Sequence, residues 1–301
     1  MNINLMNRND SINNKIKEFE KVNNKRTISF IDTINNNPES FDYAGGIDEE
    51  NLKNGFGILK LNDGSCFKGM FIHGHANGFG IFSHSKGDIY KGEFHNDEIN
   101  GFGEYHYEKM TINSGYWVNS ALLGIGFEKW EDSYYWGCFL NGQKNGIGTY
   151  IWNNKSKYEG EWKNDQLNGY GIYYFSDGRQ YIGEWKDSYM NGFGIYKWNN
   201  KKKYFGFFKK GLKNGFGIFY LLNDKYVIGF WKQGMQNGFV KYINKDNIKY
   251  GFYKNGCREK WYDSDNEFLF DFVKFDVDKK YKIFFDMDKE KLENYLIYND
   301  V

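Results

Sequence analysis

Residues 158–171 read Tyr158-Glu159-Gly160-Glu161-Trp162-Lys163-Asn164-Asp165-Gln166-Leu167-Asn168-Gly169-Tyr170-Gly171. Near-copies of this phrase start at Tyr90, Tyr135, Tyr181 and Tyr204. Its first glycine recurs at Gly46, Gly69, Gly92, Gly115, Gly137, Gly160, Gly183, Gly206, Gly229 and Gly251, in steps of 23 residues with two of 22. A second glycine stands nine residues later, from Gly55 to Gly238, and a third two further on, from Gly57 to Gly217. A fixed period of this length marks a repeat array, whose units bury surface only against their neighbours. Val240, Lys260 and Tyr262 replace glycines at the end of the array, the degeneracy expected of a capping end.

Each unit reads as a β-hairpin. Tyr158, Gly160 and Trp162 alternate with Glu159, Glu161 and Lys163, so the two sets face opposite sides of a strand. Asn164 to Gly169 supplies turn chemistry, and the chain resumes as Gly171-Ile172-Tyr173-Tyr174-Phe175, rich in β-formers. Ser176-Asp177-Gly178 turns again, with Asp63-Gly64 and Lys86-Gly87 in the equivalent place. Glycine weakens a strand unless something packs over it, and an aromatic ring is the expected cover. Phe, Trp and Tyr make up 21% of the chain, so the rings are there. An aromatic residue two past the first glycine recurs from Phe71 and Phe94 to Trp231 and Tyr253.

The phrase resembles the MORN (membrane occupation and recognition nexus) repeat, whose pattern is approximately YxGxW-x5-NGxG. The resemblance runs from residue 44 to about 260. It implies an all-β fold: an elongated, single-layer antiparallel meander of repeated hairpins, often dimeric. Strand spacing alone gives about 10 Å per unit and a rod of roughly 90–100 Å for ten units. The expected organisation is an Asn/Lys-rich, mostly disordered N-terminal arm over 1–40, about ten repeats over 41–260, and a C-terminal cap with a terminal helix over 261–301. In the arm, Ser11 is placed to cap a short helix carrying Ile12, Ile16, Phe19 and Val22 on one face. In the cap, Phe268, Phe270 and Phe272 alternate and Ile283, Phe284 and Phe285 form a second apolar run. Asp288 is then placed to cap a helix from Lys289 to Tyr298. The cap is expected to cover the last sheet edge.

Composition narrows the function. The repeats leave no room for a catalytic domain of ordinary size. No stretch has the length and apolarity of a membrane-spanning helix, and Met1-Asn2-Ile3-Asn4 opens neither a signal peptide nor a myristoylation site. Cys66, Cys138 and Cys257 are sparse and unpaired in spacing, which points to a reducing, cytoplasmic setting. His73, His75, His84, His95 and His106 lie in neighbouring repeats, but they lack the second ligand pair a zinc site needs, so no metal or other cofactor is expected. The Asn-Gly-Phe-Gly phrases are not phosphate loops, since no Gly-Lys-Ser/Thr follows. No catalytic constellation is present, and the chain is expected not to be an enzyme.

Charge is the strongest functional signal. Residues 41–110 carry 6 basic and 11 acidic groups, whereas residues 195–260 carry 15 and 3, a net of +12. Lys163, Lys186, Lys209, Lys232 and Lys254 stand three residues past successive first glycines and are expected to form a ladder about 10 Å apart. Glu161 and Glu184 partly neutralise its upstream end. Lys201, Lys202, Lys203, Lys210 and Lys213 add charge. The candidate surfaces are this basic set, for a protein or anionic phospholipid, and an aromatic face comprising Trp117, Trp162, Trp185, Phe208 and Trp231. Nucleic acid is not expected, because the aromatics are already committed to covering glycine. The reading is a non-enzymatic scaffold that organises protein partners at a membrane-associated or cytoskeletal site. Its alternative is a regulatory or targeting subunit of a lipid kinase or methyltransferase.

Overall fold

The computed structural model describes residues 42–107 and 111–274, together with Phe285, Met287 and Lys291. The expected N-terminal arm and the expected helix from Lys289 to Tyr298 lie outside the described residues, Lys291 apart. Twenty β-strands and one helix, α1 (Asp265–Lys274), are assigned among the described residues. The chain is all-β, an open antiparallel sheet in which hairpin follows hairpin. It divides into two compact units, one ending at Gln166 and one beginning at Leu167.

Two turn types alternate. The short one is two residues long. Asn96 (φ 48°) and Asp97 (φ 67°) join His95 to Glu98, and Asn164 (φ 48°) and Asp165 (φ 62°) play the same part after Lys163. Positive φ at both central positions is the type I′ turn, whose twist matches that of the flanking strands. The turn expected over 164–169 is therefore only Asn164-Asp165, and the next strand starts at Gln166. The other turn is longer. Gly64 donates its N–H to Leu61 and Gly178 to Phe175, as Asp-Gly chemistry predicts.

The second strand of each hairpin carries a bulge at the second glycine. Between Gly183 and Trp185 the pairing shifts, and Gly192 on the facing strand takes φ +61°. A bulge frees backbone groups that must find partners. The next repeat supplies them. Asp97 donates its N–H to the Ala76 carbonyl and its carboxylate accepts the Ala76 N–H at 2.7 Å. Asp165 treats Lys144 in the same way, and Ser188 treats Leu167 in the same way through its hydroxyl. Each short turn is thus fastened to the preceding repeat.

First and third glycines face each other across the strand pairs as far as Gly229, with Gly45 rather than Gly46 in the first place. Beyond that, Val240 faces Gly229 and Gly251, and Trp261 faces Gly251. The row runs from Gly45 through Gly57, Gly69, Gly80 and Gly92 to Gly160 in the upstream unit, and from Gly171 to Gly229 in the downstream unit. Onto this bare track fold the rings two residues before the first glycine. A Cβ at Gly194 would stand 2.5 Å from the Tyr181 ring, and one at Gly80 would stand 2.5 Å from that of Phe67. The Tyr hydroxyls reach back to the chain: Tyr135 donates to the Cys138 carbonyl at 3.0 Å, and Tyr158 and Tyr181 to Glu161 and Glu184 at 2.9 Å. The cover over glycine is therefore the ring before it, not the ring two residues after it.

That later ring has a different task. Trp162 meets Tyr158 edge-on at 5.3 Å and Tyr135 of the preceding repeat at 5.3 Å. Phe208 does the same between Tyr204 and Tyr181. Indole N–H groups of Trp117 and Trp162 donate to the carbonyls of Gly103 and Gly148. Such edge-to-face pairs add about 0.5–1.5 kcal/mol each beyond area burial. One face of the sheet, called the inner face here, is thereby a closed aromatic core.

Helix α1 occupies the other face of the downstream unit. Ser264 caps it, accepting the Glu267 N–H, and Lys260 holds Glu267 at 2.7 Å and Asp271 at 3.1 Å. Phe268, Phe270 and Phe272 alternate in sequence, yet they lie on this helix. Phe268 and Phe272, four apart, are buried, while Phe270 is 70% exposed. The described part of the expected cap packs on the outer face of the last strands, with Phe268 and Phe272 against Phe239 and Phe268 against Tyr250.

Gly194→Ala should cost about 2–3 kcal/mol through overpacking beneath Tyr181. Tyr181→Phe should cost about 1 kcal/mol, for one buried hydrogen bond. Urea denaturation followed by tryptophan fluorescence checks both. Equal stability of Gly194→Ala and the natural chain would remove the ring-on-glycine account.

Candidate functional site: two faces and two margins

The five rings expected to form a binding face are core. Trp117, Trp162, Trp185, Phe208 and Trp231 are each nearly fully buried by their own neighbours. The exposed apolar row is instead the residue between the second and third glycines, which points to the opposite, outer face. Phe56, Phe79, Phe102, Ile125 and Ile147 are 63–80% exposed. Across from them on the same face stand Met70, Glu93, Tyr116, Cys138 and Glu161. Fourteen of the eighteen large apolar side chains that are exposed among the described residues lie upstream of Leu167. Contiguous exposed apolar patches of this kind mark interaction surfaces.

In the downstream unit Tyr170 is still 55% exposed at this position, but the later members of the row are covered. Phe216 and Phe239, at the equivalent repeat position, are 1% exposed. Phe239 lies 5.4 Å from Phe268 and 5.0 Å from Phe272, and Phe216 lies 6.0 Å from Phe285. Lys241 donates to the Phe285 carbonyl. Full burial of each such ring contributes about 2 kcal/mol. The chain thus shows on itself what its outer face takes: phenylalanines spaced on a helix.

The lysines divide between opposite margins. Lys186, Lys209, Lys232 and Lys254 end their strands at the short-turn margin, with Lys210 in the turn beside Lys209, and all are exposed. Lys163 ends its strand in the same way in the upstream unit. Lys201 and Lys202 belong to a long turn at the other margin, and Lys203 opens the strand that follows it. Lys203 is half-buried over the rings of Phe205 and Tyr220. A groove of 830 Å³ at the short-turn margin is lined by Lys186, Lys209, Lys210, Phe207 and Phe216 among others. Glu184, two residues before Lys186 on the same strand, accepts the Phe193 N–H at 2.6 Å on the outer face.

Lys213 is not a surface cation. Its ammonium sits over Tyr204, Phe219 and Trp231, the nearest at 4.6 Å. Part of the residue is exposed, but this charged end is enclosed, and burial pulls its pKa down to about 8. Lys144 holds the same place in its repeat, seven past the first glycine, where Ala76, Ile99, Leu122, Leu167 and Met190 are apolar. Lys144 is 2% exposed and contacts the Glu128 carboxylate at 2.5 Å and Asp165 at 3.7 Å. Glu128 replaces a ring or leucine found at this position in other units. Around Lys213 the positions equivalent to Glu128 and Asp165 are Tyr196 and Gly234, so neither acid is present there. Sequence reading missed this pairing because Glu128 and Lys144 are 16 residues apart with no motif joining them.

The histidines are spread among separate carboxylates. His73 meets Asp48 at 3.3 Å, His75 meets Asp97 at 2.6 Å, and His106 meets Glu104. No three metal-ligating side chains converge among the described residues. No helix among them is long and apolar enough to cross a membrane.

The MORN repeat model matches eight segments: residues 49–66, 67–89, 90–109, 135–157, 158–178, 181–203, 204–221 and 228–246. No curated protein matches the chain. Among solved structures, the TCP10 domain of Danio rerio CPAP aligns at 9% identity, over 69% of this chain and 99% of that one, with a TM-score of 0.37. The SAS-4 TCP domain of Drosophila melanogaster, solved with a proline-rich motif of Ana2, aligns at 13% identity over 52% and 86%, with a TM-score of 0.32. A streptogramin B lyase aligns at 9% identity over 75% and 89%, with a TM-score of 0.15.

Substituting the two lysines should have opposite effects. Lys144→Met leaves Glu128 buried without its cation and should cost about 3–5 kcal/mol. Lys213→Met removes an enclosed charge and should stabilise by about 1–3 kcal/mol at pH 7. Between about 8 and 10.5 the unfolded chain binds a proton at Lys213 that the folded chain does not, so stability from this group rises with pH across that window. Urea denaturation at pH 7 and pH 10 reads both effects. Lys213→Met should lose this part of the alkaline rise.

Proposed function

Because the chain belongs to the MORN repeat family, we propose that it is a non-enzymatic scaffold whose upstream unit holds a protein partner on its outer face. The observation that carries this is the exposed row Phe56, Phe79, Phe102, Ile125 and Ile147 beside its covered counterpart, Phe216 and Phe239. The partner presents an apolar stripe, because the chain's own α1 meets the same repeat position with Phe268 and Phe272. In this reading the protein acts in the cytoplasm, at a membrane-associated or cytoskeletal structure.

The exposed lysines favour a second activity at a different place. Lys186, Lys209, Lys232 and Lys254 recur about 10 Å apart along one margin, a spacing suited to a flat anionic phospholipid surface. Several lysines at about 1 kcal/mol each give salt-sensitive attachment.

Phe79→Asp/Phe102→Asp should abolish capture of a partner protein while leaving thermal unfolding within about 1 kcal/mol of the natural chain, since both side chains are exposed. Quantitative affinity capture with matched melting curves checks this. Equal capture by both proteins, or capture of no protein by either, counts against the docking face. Separately, Lys209→Glu/Lys232→Glu/Lys254→Glu should reduce flotation with phosphoinositide vesicles, and the phenylalanine variant should not.

A further inference from the structure

The outer face of the upstream unit has a candidate occupant in the same chain. Resting on the docking-face reading above, we infer that residues 12–22 dock on Phe56, Phe79 and Phe102 through an amphipathic helical stripe.

Three independent observations converge. The first is apolar matching. Ile12, Ile16, Phe19 and Val22 follow helical spacing and form one stripe. At the other end of the chain the same repeat position is already covered by a helix bearing phenylalanines four apart, Phe268 and Phe272. An 11-residue helix is about 16 Å long, enough to span neighbouring rows of the face about 10 Å apart.

The second is tethering. The segment joins the sheet at Asp42, the first residue of the strand that pairs with Lys53–Lys60, on which Phe56 stands. The 19 residues from 23 to 41 can extend to about 60 Å, so the helix reaches Phe102 without strain. A short tether gives a millimolar-range effective concentration, so weak affinity suffices for occupancy.

The third is charge. Residues 15–26 hold Lys15, Lys17, Lys21, Lys25 and Arg26 against Glu18 and Glu20, a net of +3. Residues 42–107 hold 5 basic and 10 acidic groups, a net of −5, and on the outer face itself Glu93 and Glu104 stand beside Lys68 and Lys91. Basic downstream repeats would repel the same segment, so charge directs it to the upstream face.

Hydroxyl-radical footprinting of the full chain tests the assignment without any partner. Oxidation of Met70, Phe79 and Phe102 should be about threefold slower in the natural chain than in Ile16→Asp/Phe19→Asp, as expected for a tethered, mostly occupied contact. Phe270, exposed on α1, should react equally in both, and Phe19→Leu should keep the protection. Equal rates at Met70, Phe79 and Phe102 in the natural chain and the double variant would overturn the inference. So would protection that disappears on dilution, which would assign the face to a second copy. The footprint reads the arm alone and affinity capture reads the partner, so either can fail while the other stands.

Discussion

An aromatic ring lying flat on glycine is the contact from which the rest of this structure follows. A sheet one layer thick has no second layer to bury its side chains, and burial is the main source of stability. Here the problem is solved within the layer. Removing Cβ at paired positions lowers the surface enough for Tyr135, Tyr158, Tyr181 and Tyr204 to fold down onto their own strands, where each is fully buried. The second ring of each unit then closes the gap to the next ring edge-on. A hydroxyl on the first ring and an indole N–H on the second satisfy carbonyls that the rings would otherwise shield from water. The Tyr side chains are held neutral by the same enclosure, with burial raising their pKa values well above the ordinary phenol range.

This solution is one-sided. Tyr, Gly and Trp alternate with residues that must point the other way, so a core on the inner face leaves the outer face without cover. The outer face carries Phe and Ile at the same position in repeat after repeat. Polar residues there would meet the needs of solvation, so its apolar character indicates contact with something. The downstream unit shows one answer, α1 with Phe285. The upstream unit presents the same row uncovered.

Departures from the repeat are informative for the same reason. Lys144 and Lys213 occupy a position that five units, from Ala76 to Met190, fill with apolar side chains. Where Glu128 and Asp165 converge on it, the lysine is a buried ion pair. Where tyrosine and glycine stand in their places, it is a charge among ring faces, favoured by their quadrupoles and opposed by lost hydration. One substitution in a repeat thus has opposite energetic signs depending on two residues of its neighbours.

The sequence by itself determined the hairpin array, its period, the strand alternation and the presence of ring-covered glycine, because these depend on contacts within 23 residues and are repeated until chance is excluded. The degenerate last units were legible on the same ground, whereas the turn expected over 164–169 contracted to Asn164-Asp165 only in the folded chain, where both residues take positive φ. Tertiary structure alone decided which ring covers glycine, since rings two before and two after it share a face and alternation cannot separate them. It moved the exposed apolar row from the tryptophans to Phe56, Phe79 and Phe102, split the lysines between two margins, and turned the alternating Phe268, Phe270 and Phe272 into a helix. Burial depends on what comes to lie above a residue, and Phe79 and Phe239 have the same local sequence pattern. Only the folded chain shows that Phe268 and Phe272 cover one of them and leave the other open.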